Sequence, residues 1–364
     1  MKKKIAFISE HASPLALLGG IDSGGQNVYV DRLARHLIKF GYTIDIFTRW
    51  DNPLKEKIIE YIPGIRIIHI KAGPVEYIRK EDMFQYMDEF AAEMIQFIKE
   101  KNQNYELIHA HFWMSGYVAT MIKKFLAIPF VITFHALGKV RRIHQGASDD
   151  FPDERFDIEK SVAAYADGII AECPQDKDDL MVLYYASEEK IKIIPCGFDK
   201  SEFFPISKRK SKLAHGLSPD EFIILQLGRL VPRKGVDNVI KGLGKMLKIS
   251  PGLPVKLLIV GGESEIPDPS LTPEIGRLQK IAEEENISDR VIFTGRKKRE
   301  ELKHYYNAAD IFISTPWYEP FGITPLEAMA CGTPVIGSNV GGIKYSVEHG
   351  RTGFLVPPDD PEIL

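Results

Sequence analysis

Residues 314–342 read STPWYEPFGITPLEAMACGTPVIGSNVGG, with Glu319 and Glu327 eight residues apart across a Phe321-Gly322 turn. The apolar run 311–314 at its start predicts a strand, and Gly322 predicts the opening of a helix with Leu326, Ala328, Met329 and Ala330 on its buried side. Strand, loop and helix start in that order make an anion site. The first helical N–H groups lack intrahelical partners, and the helix dipole favours negative charge beside them. A diphosphate suits such a site. The two carboxylates do not serve it, because phosphate repels them, so hydroxyls are their expected ligands: a sugar ring for Glu319 in the loop, a ribose for Glu327 in the helix. Two glutamates alone also describe solvated charge on a helix surface. The sequence around them has to decide.

At 364 residues the chain exceeds what one core usually holds, so two domains are expected, 1–199 and 200–364. Hydrophobic residues at 44%, charged residues at 27% and a net charge of −3 mark no nucleic-acid or membrane partner. Cys173, Cys196 and Cys331 are scattered, without a C-x-x-C pair, which argues against a disulfide framework or zinc site and fits a reducing cytoplasm. The start MKKKIAFISEH imitates a signal peptide, but its apolar run stops at Glu10 and predicts a strand. No uncharged stretch approaches the ~20 residues that span a bilayer.

Strands are expected at 5–9, 43–48, 65–70, 107–111, 131–134 and 191–195, and the alternation restarts at 223–227, 255–260, 291–294, 311–314 and 334–337. Strands spaced by helices imply α/β architecture: two Rossmann-like doubly wound parallel sheets, facing each other across a cleft. The basic run 208–212 reads as part of the linker. Asp359, Asp360, Pro361 and Glu362 read as a helix start with no helix after it, so the chain is expected to be truncated at its C-terminus.

Parallel sheets bind ligands at the carboxyl ends of their strands, which points to several loops. The loop 10–23 is expected to close on a ligand, and Gly24, Gly25, Gln26 and Asn27 open the next helix. Arg79 and Lys80 precede a helix expected over 81–100, where cations oppose the dipole unless an anion is bound. His109 and His111 share a strand face, but no acidic or Cys partner follows at ligand spacing, so a metal pair is rejected. Asp176-Lys177-Asp178 follows Pro174 at a helix start and reads as capping. Gly228 to Gly235, GRLVPRKG, carries cations at the end of the second half's first strand, and Arg229 and Lys234 are expected to face solvent there. Gly261-Gly262 is a close-approach turn of the same crevice.

The run from Glu319 to Glu327, followed by AMACGTPVIGSNVGG, resembles the signature of the retaining GT-B glycosyltransferases of family four, among them sucrose-phosphate synthases and D-inositol-3-phosphate N-acetylglucosaminyltransferases. The similarity extends over residues 5–356. It implies glycosyl transfer from a nucleotide sugar, UDP-glucose by expectation, to a phosphorylated sugar, without metal or cofactor, as in sucrose biosynthesis. The resemblance implies catalytic roles for Arg229, Lys234, Glu319 and His135. It implies donor binding by Gly24, Gly25, Gly262, Arg296, Phe321, Gly322, Ile323, Thr324 and Glu327, with Lys297 beside Arg296. Acceptor binding falls to Gln26, Asn27, Lys80 and Arg155, with Lys139, Arg141 and Arg142 adding positive charge nearby. Where the inositol-phosphate enzymes place a tyrosine and a threonine around the acceptor phosphate, this chain has Phe112 and Ala136, whose side chains donate no hydrogen bond. Transfer to inositol 3-phosphate is the alternative, and a non-catalytic nucleotide-sugar sensor a second. A Rossmann dehydrogenase would need G-x-G-x-x-G after its first strand, and neither Gly-Gly motif supplies it.

Overall fold

The computed structural model of the protein describes residues 3–15 and 24–364, so most of the expected closing loop 10–23 lies outside the described residues. The chain divides into two compact units, the first ending at Pro195 and the second running from Cys196 to Leu364.

The first unit holds β1 (Lys4–Ile8), β2 (Thr43–Arg49), β3 (Ile58–Ile62), β4 (Ile65–Ile70), β5 (Leu107–His111), β6 (Phe130–Thr133), β7 (Gly168–Ala171) and β8 (Ile191–Ile193). They form one sheet in the order β3-β4-β2-β1-β5-β6-β7-β8, parallel except for β3, which pairs antiparallel with β4. The order reverses between β1 and β5. Ile5 and Phe7 on β1 pack with Val30 and Ala34 of the helix Gly25–Lys39 and with Ile44, Ile46, Ile65 and Ile67 of β2 and β4. Residues two apart on a strand share a face, so this one set covers one side of the sheet.

The second unit holds β9 (Phe222–Leu227), β10 (Val255–Val260), β11 (Val291–Gly295), β12 (Ile311–Ser314), β13 (Val335–Ser338) and β14 (Gly353–Val356), all parallel, in the order β11-β10-β9-β12-β13-β14. That is the dinucleotide-fold order, with its reversal between β9 and β12. Both faces are wound. Ile224, Leu257 and Ile259 pack under the helices Val236–Ile249 and Pro273–Glu284, while Ile223, Leu225 and Leu258 pack on the other side under Tyr305, Tyr306 and Ala328. The α/β doubly wound expectation holds for each unit.

Three local readings change. The helix expected over 81–100 begins at Met87, because 80–86 winds into two 3-10 turns; Asp88 and Glu89 then occupy the first α-helical turn, where the dipole favours them. The basic run 208–212 is a helix, Lys208–Ala214, belonging to the second unit. Ser207 Oγ accepts from Lys210 N–H at its start, and the buried Lys212 ammonium meets Asp310 at 2.7 Å and the Glu221 carbonyl at 2.7 Å. In the helix Ile323–Ala330, Glu327 and Ala328 are buried, while Leu326, Met329 and Ala330 are half-buried.

Candidate active site

In the second unit the loops after β9 and β12 meet at the sheet's switch point. Gly235, at φ +63°, comes so close to Thr315 that an added Cβ would lie 2.0 Å from the Thr315 carbonyl oxygen. Thr315 Oγ1 donates to the Gly235 carbonyl at 3.0 Å, Trp317 N–H to the Arg233 carbonyl at 3.1 Å, and Arg233 Nη1 to the Tyr318 carbonyl at 3.1 Å. Laced in this way, the loops bring Lys234 Nζ onto Glu319 Oε2, with Arg233 Nη1 3.7 Å from the same oxygen.

This corrects the expectation that Lys234 faces solvent: its side chain is 18% exposed and that of Glu319 14%. The reason is electrostatic, since two partly desolvated opposite charges held by crossing loops attract strongly. Burial disfavours the Glu319 carboxylate, but attraction to Lys234, Arg233 and Arg229 outweighs it and holds the carboxyl below its ordinary range. Behind it, Gly341 and Gly342 support the loop. A Cβ on Gly341 would lie 1.8 Å from the Glu319 carbonyl oxygen, and Gly342 N–H donates to the Pro320 carbonyl at 3.0 Å. Arg233 and this glycine pair received no role from the sequence, although the Gly-Gly doublet closing the opening stretch was the available signal.

Phe321 is buried and Gly322, at φ +87°, caps the helix that begins with Ile323 and Thr324. Glu327 is 2% exposed; Tyr306 OH donates to its Oε2 at 2.9 Å and Arg299 Nη2 lies 3.0 Å from its Oε1. Burial pushes this carboxyl up, with Arg299 opposing. Arg299 also donates to Glu202 at 2.8 Å. Past β10 and β11, Gly261 N–H donates to the Gly295 carbonyl at 3.1 Å beside Gly262, and Arg296 N–H to the Ser264 carbonyl at 2.7 Å. Lys297 Nζ reaches the Glu265 carbonyl at 3.4 Å.

In the first unit amides and hydroxyls tie the strand ends at the switch point. Gln26 Nε2 donates to Ser9 Oγ at 3.2 Å and to the His111 carbonyl at 3.3 Å, tying the ends of β1 and β5. Asn27, 3% exposed, donates to the Ser13 carbonyl at 2.9 Å and accepts from Gly24 N–H at 2.9 Å, just before Gly25. His135, after β6, has φ +59°. Its Nδ1 lies 3.2 Å from Glu172 Oε1 and its Nε2 3.2 Å from His111 Nδ1. His109 Nε2 pairs with Thr133 Oγ1 at 2.9 Å. Burial, with the neighbouring imidazoles, pushes His109 down to about 3 and His111 well below its ordinary value, so both are neutral. Among the described residues no three His, Cys, Asp or Glu side chains gather as a metal site would. Asp176 lies in the first turn of the helix Pro174–Tyr184, where its Oδ2 accepts the Glu172 N–H at 2.9 Å; the cap itself is Cys173, whose Sγ accepts from Asp176 N–H at 3.4 Å.

The basic residues of this unit are more engaged than their sequence suggests. Lys80 lies in a 3-10 turn with its ammonium 3.3 Å from Glu81, and Arg79 meets Asp150 at 2.8 Å. Lys139 donates to the Leu183 carbonyl at 2.8 Å, Arg141 pairs with Asp149 at 2.7 Å and Arg142 with Asp153 at 2.7 Å. Arg155 is fully buried. Its Nε donates to Glu159 at 2.7 Å, its Nη2 to the Ala136 carbonyl at 2.6 Å, and its guanidinium lies 4.9 Å over the Phe112 ring and 4.5 Å over Phe151. Nη1 is buried without a hydrogen-bond partner.

The glycosyltransferase family 4 model matches residues 23–202, and the model described as glycosyl transferases group 1 matches 207–364. The D-inositol 3-phosphate glycosyltransferase of Corynebacterium jeikeium (strain K411) is 35% identical over 98% of this chain and 85% of its own length. The chain belongs to glycosyltransferase family 4. A second relative of this kind, D-inositol 3-phosphate glycosyltransferase 2 of Catenulispora acidiphila, is 33% identical over 99% of this chain and 84% of its own. Among solved structures, the sucrose-phosphate synthase of Thermosynechococcus elongatus has a TM-score of 0.89 at 35% identity, covering 100% of this chain and 88% of that one. Anabaena Alr3699/HepE in complex with UDP and glucose, at TM-score 0.76 and 21% identity over 99% and 87% of the two chains, shares the fold. The family 4 chain described here is thus a GT-B glycosyltransferase acting on nucleotide sugars. Among the described residues no helix is long and apolar enough to cross a membrane.

Proposed function

We propose that this glycosyltransferase moves glucose from UDP-glucose to a phosphorylated sugar, of the fructose 6-phosphate kind, with retention of configuration and without a divalent metal. The observation that carries the reading is the meeting of Lys234, Arg233 and Glu319 at the second unit's switch point. Cations there stabilise the leaving diphosphate as its charge develops, and Glu319, already neutralised by Lys234, accepts from hydroxyls of the sugar. Arg229 and the N-terminus of the helix Ile323–Ala330 add to the anion site, Gly262 and Arg296 border the base, and Glu327 reaches the ribose by sharing a carboxylate now engaged by Tyr306 and Arg299. No side chain in this group is placed as a covalent nucleophile; the leaving phosphate takes the acceptor's proton on the same face. Gln26, Asn27 and Lys80 serve the acceptor, with cytoplasmic sugar phosphates as its source; Arg155, expected beside them, is instead fully buried against Glu159 and the Ala136 carbonyl and holds the fold there.

Sucrose-phosphate synthase likeness over the whole chain supports the sugar-phosphate acceptor, as do Phe112 and Ala136, which donate no side-chain hydrogen bond to an inositol phosphate. The names of the curated relatives favour inositol 3-phosphate as the second reading. The test is a matrix of UDP-glucose, ADP-glucose and UDP-N-acetylglucosamine against fructose 6-phosphate, inositol 3-phosphate and free fructose, with product anomers assigned by NMR. UDP-glucose with fructose 6-phosphate should be fastest, and its rate should survive excess chelator. A preference for inositol 3-phosphate installs the second reading; a rate that collapses with chelator and returns with Mg²⁺ removes the metal-free mechanism.

A further inference from the structure

At the carboxyl ends of β5, β6 and β7 of the first unit three side chains stand in line. Glu172, the residue after β7, is 4% exposed and sets Oε1 3.2 Å from His135 Nδ1; His135 Nε2 lies 3.2 Å from His111 Nδ1; and His111 Nε2 is buried with no partner. His135 is held in the left-handed region at φ +59°, its ring stacked on His111 at 5.4 Å and met edge-on by Tyr29 at 5.0 Å. A non-glycine residue keeps such a conformation only where its surroundings over-determine it, which is common at functional sites.

We infer that Glu172 is a positioning residue that fixes the tautomer and orientation of the His135 imidazole. A carboxylate only accepts, so the proton of a neutral His135 must sit on Nδ1, leaving Nε2 a bare lone pair. That lone pair needs a donor, which makes His111 the Nδ1–H tautomer with Nε2 bare. The opposite assignment points two lone pairs at each other across the Glu172 contact and buries a His111 N–H donor with no acceptor. Unpaired buried donors are the rarer defect. The consequence is a specificity statement: His135 presents Nε2 as an acceptor, and a ligand that meets it must bring a hydroxyl in place of the His111 N–H. A phosphate or carbonyl oxygen does not fit.

This inference rests on the reading of His135 as an active-site histidine, and its test separates the two. In the whole chain labelled with ¹⁵N-histidine, long-range ¹H–¹⁵N spectra of the ligand-free protein should show His135 and His111 as Nδ1–H tautomers. Glu172→Gln, whose amide can present N–H to Nδ1, should move His135 toward Nε2–H and lower kcat by about tenfold to a hundredfold while KM for the nucleotide sugar stays within twofold; Glu172→Asp should restore much of both. An Nε2–H His135 in the wild type overturns the inference, and needs no variant to fold. A tautomer that shifts in Glu172→Gln with kcat unchanged overturns the positioning role. His135→Ala at wild-type turnover would remove His135 from the catalytic reading, while the spectra still decide what Glu172 does.

Discussion

The two switch points treat charge in opposite ways. In the second unit Arg229, Arg233 and Lys234 gather around the single carboxylate of Glu319, so positive charge exceeds negative where the loops after β9 and β12 cross. In the first unit the cations expected near an acceptor phosphate already have internal partners: Arg155 has Glu159, Lys80 has Glu81, and Arg141 and Arg142 have Asp149 and Asp153. Between them stand the neutral imidazoles of His109 and His111, amides, and the buried carboxyl groups of Glu10 and Glu172. A basic residue in a sequence is therefore not yet a charge available to a ligand; what counts is the balance the fold leaves around it.

Arg155 is where the contrast is most easily broken. Arg155→Ala strands Glu159 in the interior, where it also accepts from Gly138 N–H and Tyr184 OH, and should cost roughly 3–5 kcal/mol of stability in chemical denaturation. A loss under about 1 kcal/mol, together with a raised acceptor KM, would make Arg155 a ligand cation like those of the second unit.

Lys234→Ala should lower turnover by about 10²–10³-fold, roughly 3–4 kcal/mol, and weaken UDP in calorimetry. Unchanged UDP affinity would mean that Lys234 serves only Glu319, and the excess of positive charge would lose its purpose. Lys80, half-buried where Arg155 is fully buried, sharpens the picture. Lys80→Ala should raise KM for a phosphorylated acceptor by about tenfold, the value of one charge-assisted bond, and leave a free sugar unaffected. Equal penalties for both acceptors would show that the first unit reads no phosphate.

The last prediction concerns pH, through Asp176. Its folded-state pKa of about 7 lies above the ordinary 3.8, so the folded protein holds this proton more tightly than the unfolded chain. Stability from this group is present at acid pH and is lost as pH rises from about 4 to about 7. Asp176→Asn should therefore gain stability relative to wild type across that window and hold a constant gain above it. A gain independent of pH would show that Asp176 is not the carboxyl that shares charge with Glu172.

Periodicity made most of the architecture legible. β4, β5, β10 and β12 lie where alternation and apolar runs place them, because buried parallel strands are nearly continuous apolar runs. β7 and β14 escape the pattern because each starts at glycine, which strands disfavour, and β3 because it is an edge strand with a charged residue at its centre. The helix start at Met87 is marked in the sequence by the acidic pair Asp88 and Glu89 and not by the cations Arg79 and Lys80 that precede the 3-10 turns.

By itself the sequence determined the two α/β units, the family signature from Glu319 to Glu327, and the loops that end the strands, since all of these are local patterns. Only the tertiary structure decided which charges meet. Lys234 and Glu319 are 85 residues apart in the chain, and Lys212 and Asp310 98 apart. Their distances follow from strand order, and the strength of each contact follows from how much water the surrounding loops remove. Local spacing encodes neither quantity, which is why a lysine read as solvent-facing turns out to be half of an ion pair.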